Sequence, residues 1–317
     1  MIKVSLTCTA RQCIFVTRII KGGATVGQNL FAKNNASSRV PRCHLSCQRF
    51  SSSLSSILQQ VEKGSISASD AENMIEENKN SDSLASFSNI DHNRGDRTGF
   101  PEAVFGEGKT PTQIASILDS MASRAKGYVL TTRISNDIWK NVEKIGIQHG
   151  EMTYHETARM IVVKPDTMIE QSRSPEESEH TVVVACAGTT DLFVAEEAAL
   201  TLQYSSRNIR VERIYDVGVA GLHRIVHALP KLRHPSVRAI VVCAGMDGAL
   251  PSVVGGLVKV PVVAVPTSVG YGAALGGIGA LLSMINSCSP GVGVVNINNG
   301  FGGAALAFKI ANNNVSD

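Results

Sequence analysis

From residue 180 onward, short apolar runs alternate with segments of helical length. The runs are rich in Val and Ile and cover residues 181–187, 209–216, 238–244, 260–266 and 291–297. The helix-length segments cover residues 192–205, 220–229, 250–257, 272–286 and 302–311. Near-continuous apolar strands separated by helices indicate a parallel sheet covered on both faces. We therefore expect a doubly wound α/β domain over residues 180–317.

The preceding region is less regular. Residues 54–78 have helical spacing interrupted at Gly64, which predicts two short helices, the second capped at Ser67 or Ser69. We assign residues 51–110 to this helical segment and a polar linker. Helix-like and strand-like stretches then alternate and predict a small α/β subdomain over residues 111–165. A charged loop separates it from the main domain.

The N-terminus differs in charge from everything after it. Residues 1–61 contain eight Lys or Arg and no Asp or Glu, so the remainder of the chain is net acidic. A basic, Ser-rich, acid-free leader is typical of an organelle transit peptide, and we expect residues 1–50 to be one, and disordered. The "CQRFSSSLSS" stretch favours the mitochondrial matrix over a plastid, with a disordered leader of no special destination as the alternative. The acidic body makes nucleic acid an improbable partner, and no apolar run is long enough to predict a membrane span.

Glycine is concentrated where the predicted strands end. Sixteen of the 28 glycines lie between residues 218 and 303, mostly just after a strand. Glycine lets backbone N–H groups approach an anion, and open parallel sheets bind ligands at the carboxyl ends of their strands. These loops predict a site for phosphate or carboxylate groups, with ordinary tight turns as the alternative. The dinucleotide pattern GxGxxG with a downstream acid is absent, which argues against a dehydrogenase.

The cysteines divide into two kinds. Cys186 and Cys243 lie within strand-like runs, where a thiol is usually a small core residue. The "CHLSC" stretch has no second ligand pair, and we predict no metal cluster. Cys288 instead follows an apolar helix and precedes Ser-Pro-Gly, so it is either a structural thiol or an exposed nucleophile.

Several long strings resemble one family. "DHNRGDRTGFPEAVFGEGKTPTQ", "GTTDLFVAEEA", "YDVGVAGLHR", "VVCAGMDGALPSVVGGLVKVPVVAVPTSVGYGA" and "LLSMINSCSPGVGVVNINNGFG" occur in the order found in LarB, the nickel-pincer nucleotide synthase family. LarB is related to the PurE-type aminoimidazole ribonucleotide carboxylases. The resemblance covers roughly residues 54–311 and implies a PurE-like, flavodoxin-like three-layer domain.

The resemblance also implies an activity. LarB is a carboxylase and hydrolase that adds CO2 to the pyridinium ring of nicotinate adenine dinucleotide and releases AMP. It implies no tightly bound cofactor, with CO2 as co-substrate and Mg²⁺ as a candidate companion of the pyrophosphate. A cationic ring cannot attack CO2, whereas a thiolate added to the ring makes the neighbouring carbon nucleophilic and can later depart.

Family roles transfer onto matching positions. Cys288 matches the nucleophile, and Asp247 matches the acid/base, where LarB commonly has Glu; capping a helix is the alternative role for Asp247. Substrate-binding candidates are the polar and glycine residues of the strand-end loops and three upstream cations, for which surface ion pairs are the alternative: Thr189, Thr190, Asp191, Gly218, Gly221, His223, Arg224, Gly245, Gly248, Thr267, Ser268, Gly270, Gly272, Arg94, Arg97 and Lys109.

One geometric conflict follows. Cys288 comes after the predicted helix 272–286, which spans roughly 22 Å, so it lies at the sheet edge opposite the glycine loops. We therefore expect a homo-oligomer, similar to the PurE octamer, in which Cys288 meets a neighbour's loops. Two other functions remain open: an aminoimidazole ribonucleotide carboxylase or mutase, and a non-catalytic nucleotide-binding protein of the same fold.

Overall fold

The computed structural model describes residues 54–72, 81–84, 87–168, 180–205 and 208–313. Residues 51–317 form one of two compact units of the chain. The predicted transit peptide, residues 1–50, lies outside the described residues. Within the described ranges, none of the helices has the length and apolar character needed to cross a membrane.

The first helix, α1, spans Leu54–Glu62. The chain then turns at Gly64, which has a left-handed φ of 66°. Helical turns resume at residue 68, after Ser67 accepts a hydrogen bond from the Asp70 N–H at 3.0 Å. The predicted break at Gly64 and the cap at Ser67 are both confirmed.

A hairpin follows where we predicted a polar linker. Strands β1 (Ser81–Leu84) and β2 (Ser88–Asp91) pair antiparallel, with Ser81 opposite Asp91. Helix α2 (Arg94–Thr98) comes next. The linker prediction was wrong over these residues because backbone pairing builds the hairpin, and its sequence has few apolar residues to reveal it.

The small subdomain is a four-stranded sheet with helices. Its elements are β3 (Ala103–Phe105), α3 (Pro111–Arg124), β4 (Val129–Thr132), α4 (Asn136–Ile145), β5 (Gly150–His155) and β6 (Met160–Pro165). The strands run in the order β3-β4-β6-β5; β3 and β4 pair parallel, and the other two pairs are antiparallel. Helix α3 begins with a reciprocal cap, in which Thr110 and Gln113 each bond the other's backbone N–H. Its buried face, including Ile114 and Leu118, packs on the sheet.

The main domain is a five-stranded parallel sheet. Its strands are β7 (His180–Cys186), β8 (Ile209–Ile214), β9 (Val237–Ala244), β10 (Val262–Pro266) and β11 (Val292–Val294). They are arranged β8-β7-β9-β10-β11 across the sheet, all parallel. Numbered within the domain, this is the order 2-1-3-4-5 of flavodoxin-like folds. The predicted doubly wound α/β class is confirmed.

Five helices cover the two faces of this sheet. Alternate strand residues point to opposite faces. One set packs against α5 (Leu192–Ser205) and α9 (Gly300–Ala311). The other set packs against α6 (Leu222–Leu232), α7 (Leu250–Gly255) and α8 (Ile278–Ile285). The small subdomain packs on the α5 side, where its Leu130 and Met160 meet Leu200.

The predicted single helix over residues 272–286 was wrong. Residues 272–277 form a short 3₁₀ segment that ends in three left-handed residues, Leu275, Gly276 and Gly277. A Cβ on Gly277 would lie 2.8 Å from the Thr267 carbonyl oxygen, so the chain passes too close to β10 for a side chain there. The regular helix α8 therefore begins only at Ile278.

Candidate active site

Asp191 joins three of the strand-end loops. Its carboxylate accepts hydrogen bonds from the Gly188 N–H at 2.9 Å and the Thr267 hydroxyl at 2.6 Å. It is only 3% exposed, and burial raises its pKa, opposed by the hydrogen bonds from Thr267, Gly188 and Gly245. Both oxygens are engaged within the protein. In this structure Asp191 therefore holds the loops after β7, β9 and β10 together, and its predicted contact with substrate stays a prediction.

The neighbouring threonines face solvent. Thr189 and Thr190 are exposed in the short 3₁₀ turn that leads into α5. Their hydroxyls stand at the amino end of a 14-residue helix, which favours negative charge. The pair is placed where it can reach a phosphate or ribose group.

The loop after β8 organises Arg224. Its guanidinium lies 2.8 Å from a carboxylate oxygen of Asp216 and 3.5 Å from the Gly218 carbonyl oxygen. Asp216 has a left-handed φ of 56°, which sequence inspection could not show. A Cβ on Gly221 would lie 2.8 Å from the Arg224 Nε, so a larger residue here would displace the guanidinium from its present position. His223, one residue before, is exposed on α6.

The loop after β9 presents Asp247. The side chain is exposed, and its Oδ1 accepts a hydrogen bond from the Ala249 N–H at 3.2 Å, just before α7. This contact is a local turn and not a helix cap, because Ala249 is the N-cap residue of α7 and the helix has no side-chain cap hydrogen bond. Among the described residues, no hydrogen bond engages the second carboxylate oxygen. Gly245 and Gly248 bring the loop against its neighbours, since a Cβ on Gly245 would lie 2.3 Å from the Val269 carbonyl oxygen.

The loop after β10 is held by Asn298. The Asn298 side chain accepts from the Ser268 N–H at 2.8 Å and donates to the Ser268 hydroxyl at 2.8 Å. Gly270 and Gly272 follow in positive-φ conformations and expose the rest of the loop. Ser268 is therefore fixed at the same carboxyl edge as Thr189 and Asp247.

Two arginines of the small subdomain reach this edge and were missed. Arg133 donates to the Asn298 carbonyl, and Arg159 lies over the Phe193 ring, 5.2 Å from its centroid. Both have left-handed backbones, and the Ile134 N–H ties them together through the Arg159 carbonyl at 2.8 Å. Arg133 directly follows β4, and this strand-end position is the one sequence feature that could have marked it as a candidate site residue. Its contact with the main domain cannot be predicted from the sequence.

The upstream cations lie elsewhere. Arg94 bonds both carboxylate oxygens of Glu102 at 3.0 Å, and Arg97 bonds Asp91, whose pKa it lowers. The two carboxylates line a cavity of about 400 Å³ in the small subdomain. Lys109 donates to the Phe105 carbonyl at 2.7 Å. Arg94 and Arg97 are thus in ion pairs, as their alternative predicts, whereas Lys109 bonds a backbone carbonyl. Within one subunit, none of these contacts involves the glycine loops.

Cys288 lies at the amino edge of the sheet. It sits between α8 and β11, and the flanking Ser287 and Ser289 contact the end of α7 through Ser252 and Gly255. Its side chain is exposed. The glycine loops occupy the carboxyl edge, so one subunit does not bring Cys288 and Asp247 together.

The other two described cysteines are core residues. Cys186 and Cys243 lie opposite each other on β7 and β9 and are fully buried. Burial raises the pKa of Cys186 to about 11 and that of Cys243 well above its ordinary value. Thiols in such surroundings are poor nucleophiles. Among the described cysteines, Cys288 is the one exposed thiol.

An exposed apolar stripe connects the two edges. It consists of Tyr271, Leu275, Ile278, Leu282 and Ile285. The last three fall at positions i, i+4 and i+7 of α8 and share one face of the helix. The stripe begins beside the β10 loop and ends three residues before Cys288. Exposed apolar side chains grouped in this way are typical of surfaces that contact another molecule.

Comparison with known proteins gives family matches in both the small subdomain and the main domain. Residues 82–166 match the family described as LarB/PurE-like N-terminal domain, and residues 181–317 match AIR carboxylase. The chain is 36% identical over 261 residues to uncharacterized protein MJ0165 of Methanocaldococcus jannaschii, across 81% of this chain and 96% of the relative. A crystal structure of a Treponema denticola PurE2 variant is 21% identical with a TM-score of 0.33, covering 42% of this chain and 79% of that one.

The 2-1-3-4-5 sheet with its glycine loops and the AIR carboxylase match together define a PurE-related protein with a carboxylase-type function. The N-terminal domain then distinguishes one family among the PurE-related proteins. With that domain present, and with a relative matched over nearly its full length, the chain belongs to the LarB family.

Proposed function

We propose that this protein carboxylates the pyridinium ring of nicotinate adenine dinucleotide through a cysteinyl adduct and hydrolyses the phosphoanhydride to release AMP. The observation that carries the proposal is the position of Cys288, an exposed thiol at the end of an apolar stripe that starts at the glycine loops. The LarB-type N-terminal domain and the AIR carboxylase match support a carboxylase-type reaction.

The proposed reaction uses residues from both edges of the main sheet. The Cys288 thiolate adds to C6 of the ring, which removes the positive charge and makes C5 enamine-like. C5 then attacks CO2, Asp247 accepts the C5 proton, and the C6–S bond breaks to restore the aromatic ring. Water attacks the phosphoanhydride, and AMP leaves. The exposed Thr189, Thr190 and Ser268 are suited to hold the phosphates.

The two edges meet if a second copy pairs across the stripe. A two-fold axis brings the same patch of both copies together and exchanges the two ends of that patch. Pairing of α8 with its counterpart would therefore place Cys288 of one copy against the glycine loops of the other. The helix itself rises only about 12 Å, which one antiparallel contact can span. We propose that the active site is shared between subunits of a homo-oligomer, with a PurE-like octamer as the expected assembly.

The experiment compares the full chain with Cys288→Ala and Cys288→Ser. Each is incubated with nicotinate adenine dinucleotide and bicarbonate, with and without Mg²⁺, and AMP and the pyridinium product are identified by mass spectrometry. We expect a carboxylated mononucleotide from the native chain and none from either variant. Intact-protein mass without bicarbonate would reveal an adduct that depends on Cys288. Equal turnover by Cys288→Ala would refute the assigned role.

The AIR carboxylase match over residues 181–317 supports a second candidate, a carboxylase or mutase of an aminoimidazole ribonucleotide. That substrate is already enamine-like and needs no thiol. Turnover of the aminoimidazole ribonucleotide that persists in Cys288→Ala would establish this function instead. Native protein that binds nucleotides but turns over neither substrate would indicate a binding protein.

A further inference from the structure

The small subdomain touches the carboxyl edge of the main sheet through Arg133. This residue follows β4 with a φ of 62°, a conformation that non-glycine residues seldom adopt. Backbone hydrogen bonds fix the chain on both sides, from Gly106 N–H to Thr132 at 2.9 Å and from Ile134 N–H to Arg159 at 2.8 Å. A residue persists in such a conformation only where its surroundings determine it.

The Arg133 guanidinium bridges two groups of the main domain. One terminal nitrogen donates to the Asn298 carbonyl, and Nε lies 3.6 Å from Glu197 Oε2. Glu197 is 4% exposed, and its other carboxylate oxygen accepts from the Phe301 N–H at 2.8 Å, in the first turn of α9. Burial raises the pKa of Glu197, whereas the hydrogen bonds from the Phe301 and Gly300 N–H groups and the charge of Arg133 favour the ionised carboxylate.

Asn298 links Arg133 to the loop after β10, which contains Ser268. Its own φ is 54°, also left-handed, and its N–H donates to the Pro266 carbonyl at 2.8 Å. Its side chain holds both the N–H and the hydroxyl of Ser268, each at 2.8 Å. The chain of contacts from Arg133 to Ser268 therefore has one intermediate residue.

We infer that Arg133 is a positioning residue, which acts through Asn298 to set the orientation of Ser268 and of the loop that receives the substrate's anionic groups. The small subdomain then contributes to the substrate site by orienting one of its loops. Groups that bind a charged substrate must be held in place by their own supporting contacts, and here one of those contacts comes from another subdomain. The consequence for turnover rests on the proposed function; the consequence for the loop does not.

The test uses Arg133→Ala and Arg133→Lys, with Arg210→Ala as the control. Arg210 is an exposed arginine on the outer strand β8, where it lies 3.9 Å from a Glu212 carboxylate oxygen. Hydrogen exchange is measured at the Ser268 and Phe301 amides, and at the Val237 amide, which bonds His234 at the opposite edge. Kinetics with nicotinate adenine dinucleotide form the second arm.

We expect Arg133→Ala to speed exchange at Ser268 and Phe301 by about tenfold or more, the loss of one charge-assisted hydrogen bond, with Val237 unchanged. Arg133→Lys should recover part of that protection, and Arg210→Ala should match the native protein.

In the kinetic arm, the KM of Arg133→Ala should rise by about tenfold with kcat nearly unchanged, because the groups that bind the substrate lose their orientation. Unchanged exchange at Ser268, or faster exchange with an unchanged KM, would overturn the inference. If the native protein does not turn over this substrate, the proposed function fails, and the exchange arm alone decides the role of Arg133.

Discussion

Replacing Leu282 by alanine tests whether the stripe on α8 is buried against a second copy. Leu282 lies in the middle of the stripe and is 55% exposed in one subunit. Alanine removes most of the apolar surface without lowering helix propensity. The folded subunit should therefore stay intact while its association weakens.

The expected loss of association free energy follows from the exposed fraction of Leu282. Full burial of a leucine side chain is worth about 1.5–3 kcal/mol, so burying the exposed half is worth about 0.8–1.5 kcal/mol. A two-fold contact contains the change twice and loses about 1.6–3 kcal/mol, which raises the dimer Kd by about 15- to 160-fold.

Analytical ultracentrifugation would measure this Kd for the native chain, Leu282→Ala and the control Leu58→Ala. Leu58 lies on α1 and is also 55% exposed, but it is outside the stripe. Activity of Leu282→Ala should fall on dilution and recover at high protein concentration. A Kd that moves equally in both variants, or a Leu282→Ala monomer with full activity, would refute the shared site.

Two further predictions concern folding. Thr267→Val removes the hydroxyl donated to buried Asp191 and should lower the free energy of unfolding by about 1–3 kcal/mol in urea titrations, while Thr267→Ser should lose less. Burial lowers the pKa of His155 from its ordinary value of 6.5; Arg213 lowers it further and Glu196 opposes the shift. As pH falls below 6.5 the unfolded chain takes up this proton first, so stability drops, and His155→Leu should show a smaller fall in Tm between about pH 7.5 and about pH 5.5.

Each of these has a plain contrary result. Equal unfolding free energies for Thr267→Val and Thr267→Ser would mean that the hydroxyl contributes nothing to stability. An identical fall in Tm for native protein and His155→Leu would place the acid sensitivity in other groups.

The main sheet could be predicted because its strands are buried on both faces. The run over residues 181–187, for example, is apolar at every position after Thr181, and that pattern is local. The hairpin at 81–91 and the break at Gly276 were not predictable in the same way. The hairpin depends on backbone pairing between polar residues, and the break depends on how closely the chain passes β10.

The candidate site also contains some features that local sequence predicts and others that depend on long-range contacts. Strings of sequence placed Thr189, Asp247 and Ser268 in strand-end loops, and the structure brings those loops to one edge. The burial of Asp191 and the reach of Arg133 arise from contacts across more than 70 residues of chain, which no local pattern encodes. The upstream cations matched a family string, but in the structure they pair with nearby acids and a backbone carbonyl.

The most direct test of the shared site mixes two inactive variants, Cys288→Ala and Asp247→Asn. If each site takes Cys288 from one copy and Asp247 from the other, a mixed dimer regains one intact site. Random mixing should then restore about a quarter of the native carboxylation rate. Mixtures as inactive as either variant alone, in oligomers shown to exchange subunits, would contradict the account and place both residues in one subunit's site.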